Sequence, residues 1–198
     1  VVADASTAPS DPDGRRIACG GLEWALMTAT TLQLPTSALA GQEMEALAPF
    51  YRDWRWTGTI QAGGMGPGSP EMTGEGRATC RLIQDGLWFD CDFDQVQRLT
   101  DGTYVLTWRL HWITGWDSAA GEYRASSADN NGPTLAIYRG RIDGSSLVYE
   151  SLQETLPRIR LTWILDDATH ARWRNEYTID GQTWGLIEEY AMEVAALQ

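Results

Sequence analysis

The side chain in this sequence best placed to do chemistry is Glu188, a carboxylate that the last two strand-like runs turn toward large aromatic rings. Asp180-Gly181 between two β-patterned runs is a hairpin signal. A two-residue loop there sets Tyr177 opposite Trp184, Asn175 opposite Leu186, Trp173 opposite Glu188 and Arg172 opposite Glu189. Glu188 then points inward beside Trp173 and near Asn175. A carboxyl group on an apolar wall holds its proton to higher pH, which suits it to general acid or base work. Two milder readings stay open: an ion pair with an inward arginine, Arg109 or Arg160, or a place at a wet barrel mouth. With Asn175 and an inward arginine, Glu188 would make the polar end of a pocket and hold a ligand head group. Arg109 is the second candidate, because a bound carboxylate is better met by a guanidinium than by Glu.

Other chemistries find little footing. Histidine occurs only as His111 and His170, without Cys-x-x-Cys or His-x-x-x-His spacing, so no metal is expected. No Gly-x-Ser-x-Gly elbow is present. Gly63-Gly-Met-Gly-Pro-Gly lacks the lysine and the strand–loop–helix setting of a phosphate cradle and reads as a loop. All fifteen basic residues are arginine, which removes lysine Schiff-base chemistry, and with it lysine-linked pyridoxal phosphate. No cofactor is expected. The formal charge of −12 argues against a nucleic-acid partner, whose binding rests on neutralising phosphates.

The positive signal is aromatic. Ten tryptophans fall mostly inside strand-like runs. Trp54, Trp56, Phe89, Phe93, Trp108, Trp112, Tyr138, Tyr149, Trp163, Trp173, Tyr177 and Trp184 lie on the faces that alternation turns inward, with Cys80, Leu82 and Cys91 beside them. They could fill a core, or they could line a cavity for an apolar guest. Small inward residues such as Ala78, Gly140 and Ala171 would not fill a wide barrel, which favours the cavity. Each buried methylene contributes ~0.8 kcal/mol, so a chain of about fifteen could supply ~12 kcal/mol before association costs. The expected partner is therefore a fatty acid or a polyketide or polyene intermediate, and the expected role that of an intracellular binder or carrier. A cofactor-free cyclase or isomerase using Glu188 or a tyrosine for proton transfer is the rival; a barrel with a filled core is the third option.

These residues need a frame, and Arg77 to Asp94 supplies its clearest piece. Asp85-Gly86 joins two runs whose register puts Leu82 opposite Phe89 and Cys80 opposite Cys91 on an apolar face. The other face pairs Arg81 with Asp90, Thr79 with Asp92 and Arg77 with Asp94. Opposed unlike charges stabilise this register, and a one-residue slip would exchange the faces. Cys80 and Cys91 read first as two small buried hydrophobes and second as a cross-strand disulfide; Cys19 leaves an odd count, unlike a secreted disulfide framework. Further strands are expected at Trp54–Gln61, Tyr104–Trp116, Glu122–Ser127, Thr134–Ile142, Leu147–Leu152, Arg158–Leu165 and Ala171–Ile179. A short amphipathic helix is expected over Ser37–Pro49. Residues 1–35 read as an N-terminal extension, with Leu22–Leu34 ambiguous, and 36–198 as one domain. A meander of about eight to ten antiparallel strands leaves two edges unless it closes, so an all-β, closed up-and-down barrel is predicted ahead of a two-sheet sandwich.

Leu47-Ala-Pro-Phe-Tyr-Arg-Asp-Trp54-Arg-Trp-Thr-Gly58, Met72-Thr-Gly-Glu-Gly76, Trp116-Asp-Ser-Ala-Ala-Gly-Glu-Tyr123 and Ile164-Leu-Asp-Asp-Ala-Thr-His170 resemble stretches of bacterial calycin-like barrels. These are lipocalin-like domains of unknown function and, more distantly, nitrobindin-type proteins. The resemblance implies a closed barrel with an interior ligand site. Its haem-binding branch carries a histidine near the C-terminal strand, where this sequence reads Glu188-Glu-Tyr-Ala-Met-Glu-Val-Ala, so haem is not expected. The lysine-free composition looks like that of a high-GC actinobacterial source, where small barrels belong to natural-product clusters. No signal peptide or membrane span is read from the sequence, and a cytoplasmic location is expected. A homodimer is also expected, because Val105 and Ile113 add apolar surface opposite the tryptophan row of their strand.

Overall fold

The computed structural model describes residues 40–133, 135–153 and 157–195. The expected extension over residues 1–35, the Leu22–Leu34 run, Cys19, the Pro35–Ser37 helix start and the Thr134 strand start lie outside the described residues. Ten antiparallel strands form a closed barrel in chain order. They are β1 (Trp54–Ile60), β2 (Met72–Ile83), β3 (Trp88–Leu99), β4 (Tyr104–Asp117), β5 (Glu122–Asp129), β6 (Leu135–Asp143), β7 (Ser146–Ser151), β8 (Arg158–Leu165), β9 (His170–Thr178) and β10 (Gly185–Val194). The ring shuts where β1 pairs with β10, Trp54 opposite Val194 and Ile60 opposite Glu188, so neither end strand is left as an open edge. Among the described residues no helix is long and apolar enough to cross a membrane.

The helix α1 (Gln42–Leu47) is shorter than the expected span. It buries Met44 and Leu47, followed by Phe50 and Tyr51, against one end of the barrel. The Tyr123 hydroxyl donates to the Glu43 carbonyl there at 2.9 Å. This is the helix end. The opposite end, the rim, is formed by the connections β1–β2, β3–β4, β5–β6, β7–β8 and β9–β10.

In the β2–β3 hairpin Cys80 faces Cys91, Leu82 faces Phe89 and Arg81 faces Asp90, with an Arg81–Asp90 ion pair outside. Asp85 and Gly86 hold positive φ of 58° and 85°, as a type I′ turn demands. One expectation is corrected: Cys80 and Cys91 form a disulfide rather than packing as two free thiols. Directly opposed positions on one face bring the two β-carbons together, their Cα atoms 4.2 Å apart.

The last hairpin also differs from expectation. Its connection is wider than two residues, because the Asp180 carboxylate accepts from the backbone N–H groups of Gln182 and Thr183, both at 2.8 Å. Tyr177 therefore pairs with Gly185, and a bulge between Leu186 and Glu188 then sets Glu188 opposite Asn175 and Tyr190 opposite Trp173. The two register shifts cancel in facing. Glu188 still points inward, whereas Trp184 does not.

Bare glycines on the inner face leave space for rings. A Cβ at Gly74 would lie 2.7 Å from the Tyr190 hydroxyl, and one at Gly140 would lie 2.4 Å from the Tyr149 ring. These glycines are sockets for rings, Gly140 for Tyr149 on the adjoining β7 and Gly74 for Tyr190 on β10, one strand beyond β1.

Candidate functional site

The inner wall carries two polar groups of residues, and they differ in how well they are satisfied. At the helix end, Trp112 Nε1 donates to the Tyr51 hydroxyl at 3.1 Å, which donates to Tyr149 at 3.3 Å. Tyr149 meets Thr114 Oγ1 at 2.7 Å, and Thr114 donates to the Arg124 carbonyl at 2.9 Å. This chain is closed on itself. Burial raises the pKa of both Tyr51 and Tyr149 well above that of a free phenol, so both stay neutral. A fully partnered network of neutral groups rigidifies a core and asks for no ligand.

The second group lies toward the rim and is unfinished. Glu188, 5% exposed, accepts from the Tyr190 hydroxyl at 2.6 Å and from Asn175 Nδ2 at 3.2 Å. Trp56 Nε1 donates to Gln95 Oε1 at 2.8 Å. Around them Gln95 Nε2, Gln97 Oε1, Asn175 Oδ1 and Trp173 Nε1 are buried without a hydrogen-bond partner. Leaving one such group unpaired costs about 1–3 kcal/mol, so four together form a large local debt. Two of the unpartnered atoms are donors and two are acceptors, which matches a guest able both to give and to take hydrogen bonds.

Burial dominates the electrostatics of this group. Desolvation raises the Glu188 pKa, against the smaller opposing pull of the hydrogen bonds from Tyr190 and Asn175. Tyr190 is likewise raised, by burial and then by the adjacent Glu188 charge. Among the described residues no arginine faces the interior. Arg109, expected inward, projects from the outer face of β4 toward Asp94 at 3.5 Å. Arg160 lies outside too, paired with Glu176 at 2.9 Å. The reason is parity: the inward positions of β4 are Trp108, Leu110, Trp112 and Thr114, which strands Arg109 on the opposite face.

Of the other expected site residues, Trp54, Trp56, Phe89, Cys91, Phe93, Trp112, Tyr138, Tyr149, Trp163 and Trp173 are buried in the core. Cys80, Trp108, Asn175 and Tyr177 are inward and half-buried. Leu82 is exposed, because β2 extends past the helix end of the barrel. Trp184 sits outside, its ring 4.2 Å from the Arg160 guanidinium carbon. The expected cavity is narrowed by the rings themselves. Trp163 stacks on Trp173 at 5.6 Å, Trp173 on Trp108 at 6.4 Å, and Trp56 meets Trp173 edge-on at 6.0 Å. Trp163 and Trp173 are cross-strand neighbours, whereas Trp108 on β4 reaches Trp173 from across the barrel. The half-buried inward residues Trp108, Ile159 and Tyr177 cluster toward the rim instead.

Gln95, Gln97 and Tyr190 were not anticipated from the sequence. Gln95 and Gln97 continue the Phe89–Cys91–Phe93 face, and Tyr190 lies two residues beyond Glu188, so strand alternation alone would have found all three. A concavity of about 720 Å³ lies outside the wall, bordered by Arg55, Arg77, Asp94 and Glu193. Four of its charges pair with one another, Arg55 with Glu193 at 3.1 Å and Arg77 with Asp94 at 3.8 Å. It makes a weaker case than the interior group.

A closed ten-stranded up-and-down barrel, helix-covered at one end and polar inside near the other, is a calycin-like architecture. Residues 40–191 match DUF1579, described as a protein of unknown function, and the chain belongs to that family. Among solved structures it is similar to Rv2717c from M. tuberculosis, with a TM-score of 0.53, 12% identity, and 79% of this chain and 99% of that one covered. The S-type phycobiliprotein lyase CPES from Guillardia theta has a TM-score of 0.49 and 6% identity, with 78% and 92% covered. No curated protein matches the sequence.

Proposed function

We propose that the protein binds an amphipathic small molecule at the rim end of the barrel. Its polar group sits among Glu188, Asn175, Gln95 and Gln97, and its apolar body lies against Trp108, Ile159 and Tyr177. The observation that carries this is the set of four unpartnered polar atoms around one buried carboxylate. A polyketide or polyene intermediate bearing a neutral hydroxyl or carbonyl suits the site better than a fatty acid, since no interior cation is described to meet a carboxylate. Fatty acids remain the comparison ligand. A place in natural-product biosynthesis, such as the dynemicin enediyne pathway, is the narrower form of the proposal and rests only on the sequence resemblance and the arginine-only composition.

Native mass spectrometry of purified protein, with titration of long-chain alcohols against fatty acids of equal length, tests it. The expected result is a bound neutral amphiphile and preference for the alcohol, weakened by Glu188→Gln. Absence of any bound guest, or equal affinity for both series and for the variant, would sink the proposal.

The second reading, a cofactor-free cyclase or isomerase, draws on the 2.6 Å Tyr190–Glu188 hydrogen bond, which supplies a proton-transfer pair. New products from incubated polyenes, lost in Glu188→Gln, would favour it over a carrier. A homodimer through exposed Val105 and half-buried Ile113 on the outer face of β4 is part of the proposal, checked by light scattering. A cytoplasmic site of action stands beside it as an expectation, against which a formed Cys80–Cys91 bond weighs. Thiol counts on protein alkylated in intact cells decide between compartments.

A further inference from the structure

We infer that the rim docks on an uncharged lipid surface. Each of the five connections at the rim carries, in the loop or at its junction with a strand, a large apolar side chain in water. Met65, Tyr104, Leu135, Leu152 and Ile179 are between 38% and 69% exposed. Val105 and Ile137 add to the same end. Among the described residues Leu82 is the one large apolar side chain comparably exposed at the helix end. The turns there present Asp117, Asp143, Asp166 and Asp167.

The chemistry of the rim selects the occupant. No arginine occurs among the described residues of its five connections (61–71, 100–103, 130–133, 152–153 with 157, and 179–184). Two guanidinium groups reach these loops from the flanking strands, Arg98 to the Gly102 carbonyl at 3.4 Å and Arg158 to the Gly181 carbonyl at 3.2 Å, little counter-charge for an anionic membrane on a chain of net charge −12. Two of the rim carboxylates are engaged by their own loops: Asp101 accepts from Thr103 N at 2.9 Å and Asp180 from Gln182 N at 2.8 Å. Those hydrogen bonds lower both pKa values, so the two carboxylates stay ionised with oxygens turned to their own loop N–H groups. The apolar side chains come from separate loops around a ring, not from one contiguous groove. A fluid headgroup region can take each tip independently, whereas a protein partner would need five matched pockets. The wall above the rim carries outward arginines such as Arg55, Arg77 and Arg139, the reverse of the apolar band of a membrane-spanning barrel. Contact is by the end alone.

This goes beyond guest binding, although it places the rim opening of the proposed site against the phase in which an amphiphile dissolves. The test is flotation with phosphatidylcholine vesicles containing no added guest. Wild type should float, and roughly 1 M salt should not release it. Met65→Ser/Leu135→Ser/Ile179→Ser should lower partitioning at least about tenfold, because binding scales with inserted apolar area. Ile179→Ser alone should lower it several-fold, and Leu82→Ser at the far end should leave it unchanged. Four outcomes overturn the inference: no flotation of wild type; flotation only with anionic vesicles and loss in salt; equal flotation of the triple variant; or concentration-dependent self-association that the triple variant abolishes without vesicle binding. Since the vesicles carry no guest, failure here leaves the head-group site standing, and failure of guest titrations leaves the docking result standing.

Discussion

Glu188 and Tyr190 stand two residues apart on one strand, on the same inner face, and the hydroxyl of one is bonded to the carboxylate of the other. Burial raises the Glu188 pKa above the ordinary 4.5. The proton-linked stability it contributes is present in full below the ordinary carboxyl range. It is lost as pH rises through the folded-state value, where an ionised group is forced into an apolar site. Glu188→Gln removes that loss. Urea midpoints measured from about pH 4 to 8 should show the variant gaining on wild type as pH rises, and parallel curves would contradict the assignment. Tyr190→Phe acts in the other direction: it deletes a donor and leaves the buried carboxylate short of a partner. It should destabilise by about 1–3 kcal/mol, more at pH 8 than at pH 4, in the same urea experiment.

At the scale of strands and turns, the socket-and-ring packing makes a definite prediction. Gly74→Ala drives a methyl group against the Tyr190 hydroxyl. It should cost about 1–3 kcal/mol and shift the Glu188 titration seen by carbon-detected NMR, while alanine at solvent-facing Thr73 should do neither. The disulfide gives another: it closes a loop with a sequence separation of 11. Reduction, or Cys80→Ala/Cys91→Ala, should remove up to about 3 kcal/mol in chemical unfolding. The two hairpins also show what a sequence reveals about register. Arg77–Asp94 was readable because its turn is backbone-determined and charged pairs lock one face against the other. The Thr178–Gly185 connection was not, because a side chain, Asp180, organises it, and the bulge beyond leaves no mark in alternation. Glu188 faces inward as expected because two one-residue shifts of the same sign add to an even number, and the first of them alone misplaces Trp184. Arg109 was misread on different grounds: the idea of an acid-binding pocket overrode the parity of its own strand.

For the molecule as a whole, closure and chain-order topology followed from continuous period-two patterning and short turns, which leave a meander no economical alternative. What patterning could not express is how rings from opposite walls share the interior. Trp163 and Trp173 are paired neighbours on β8 and β9, but Trp108 reaches Trp173 from β4, on the far side of the ring, and linear spacing contains no such distance. The resulting barrel is polarised: filled and hydrogen-bonded toward α1, chemically unfinished toward the rim. A guest should therefore be sensed by rim tryptophans first. Trp108→Phe is expected to remove most of any guest-induced fluorescence change, whereas Trp112→Phe should remove little, measured by steady-state quenching titration.

The strand that opens the wall and the strand that completes it lie side by side, Trp54 opposite Val194, with Ala195 N bonded to the Asp53 carbonyl at 2.8 Å. Both meet at the helix-covered pole. A tether grafted just beyond Ala195 would thus hold the molecule upright on a sensor chip with its unfinished mouth turned to the flow, and captured protein should take up amphiphile as fast as protein free in solution.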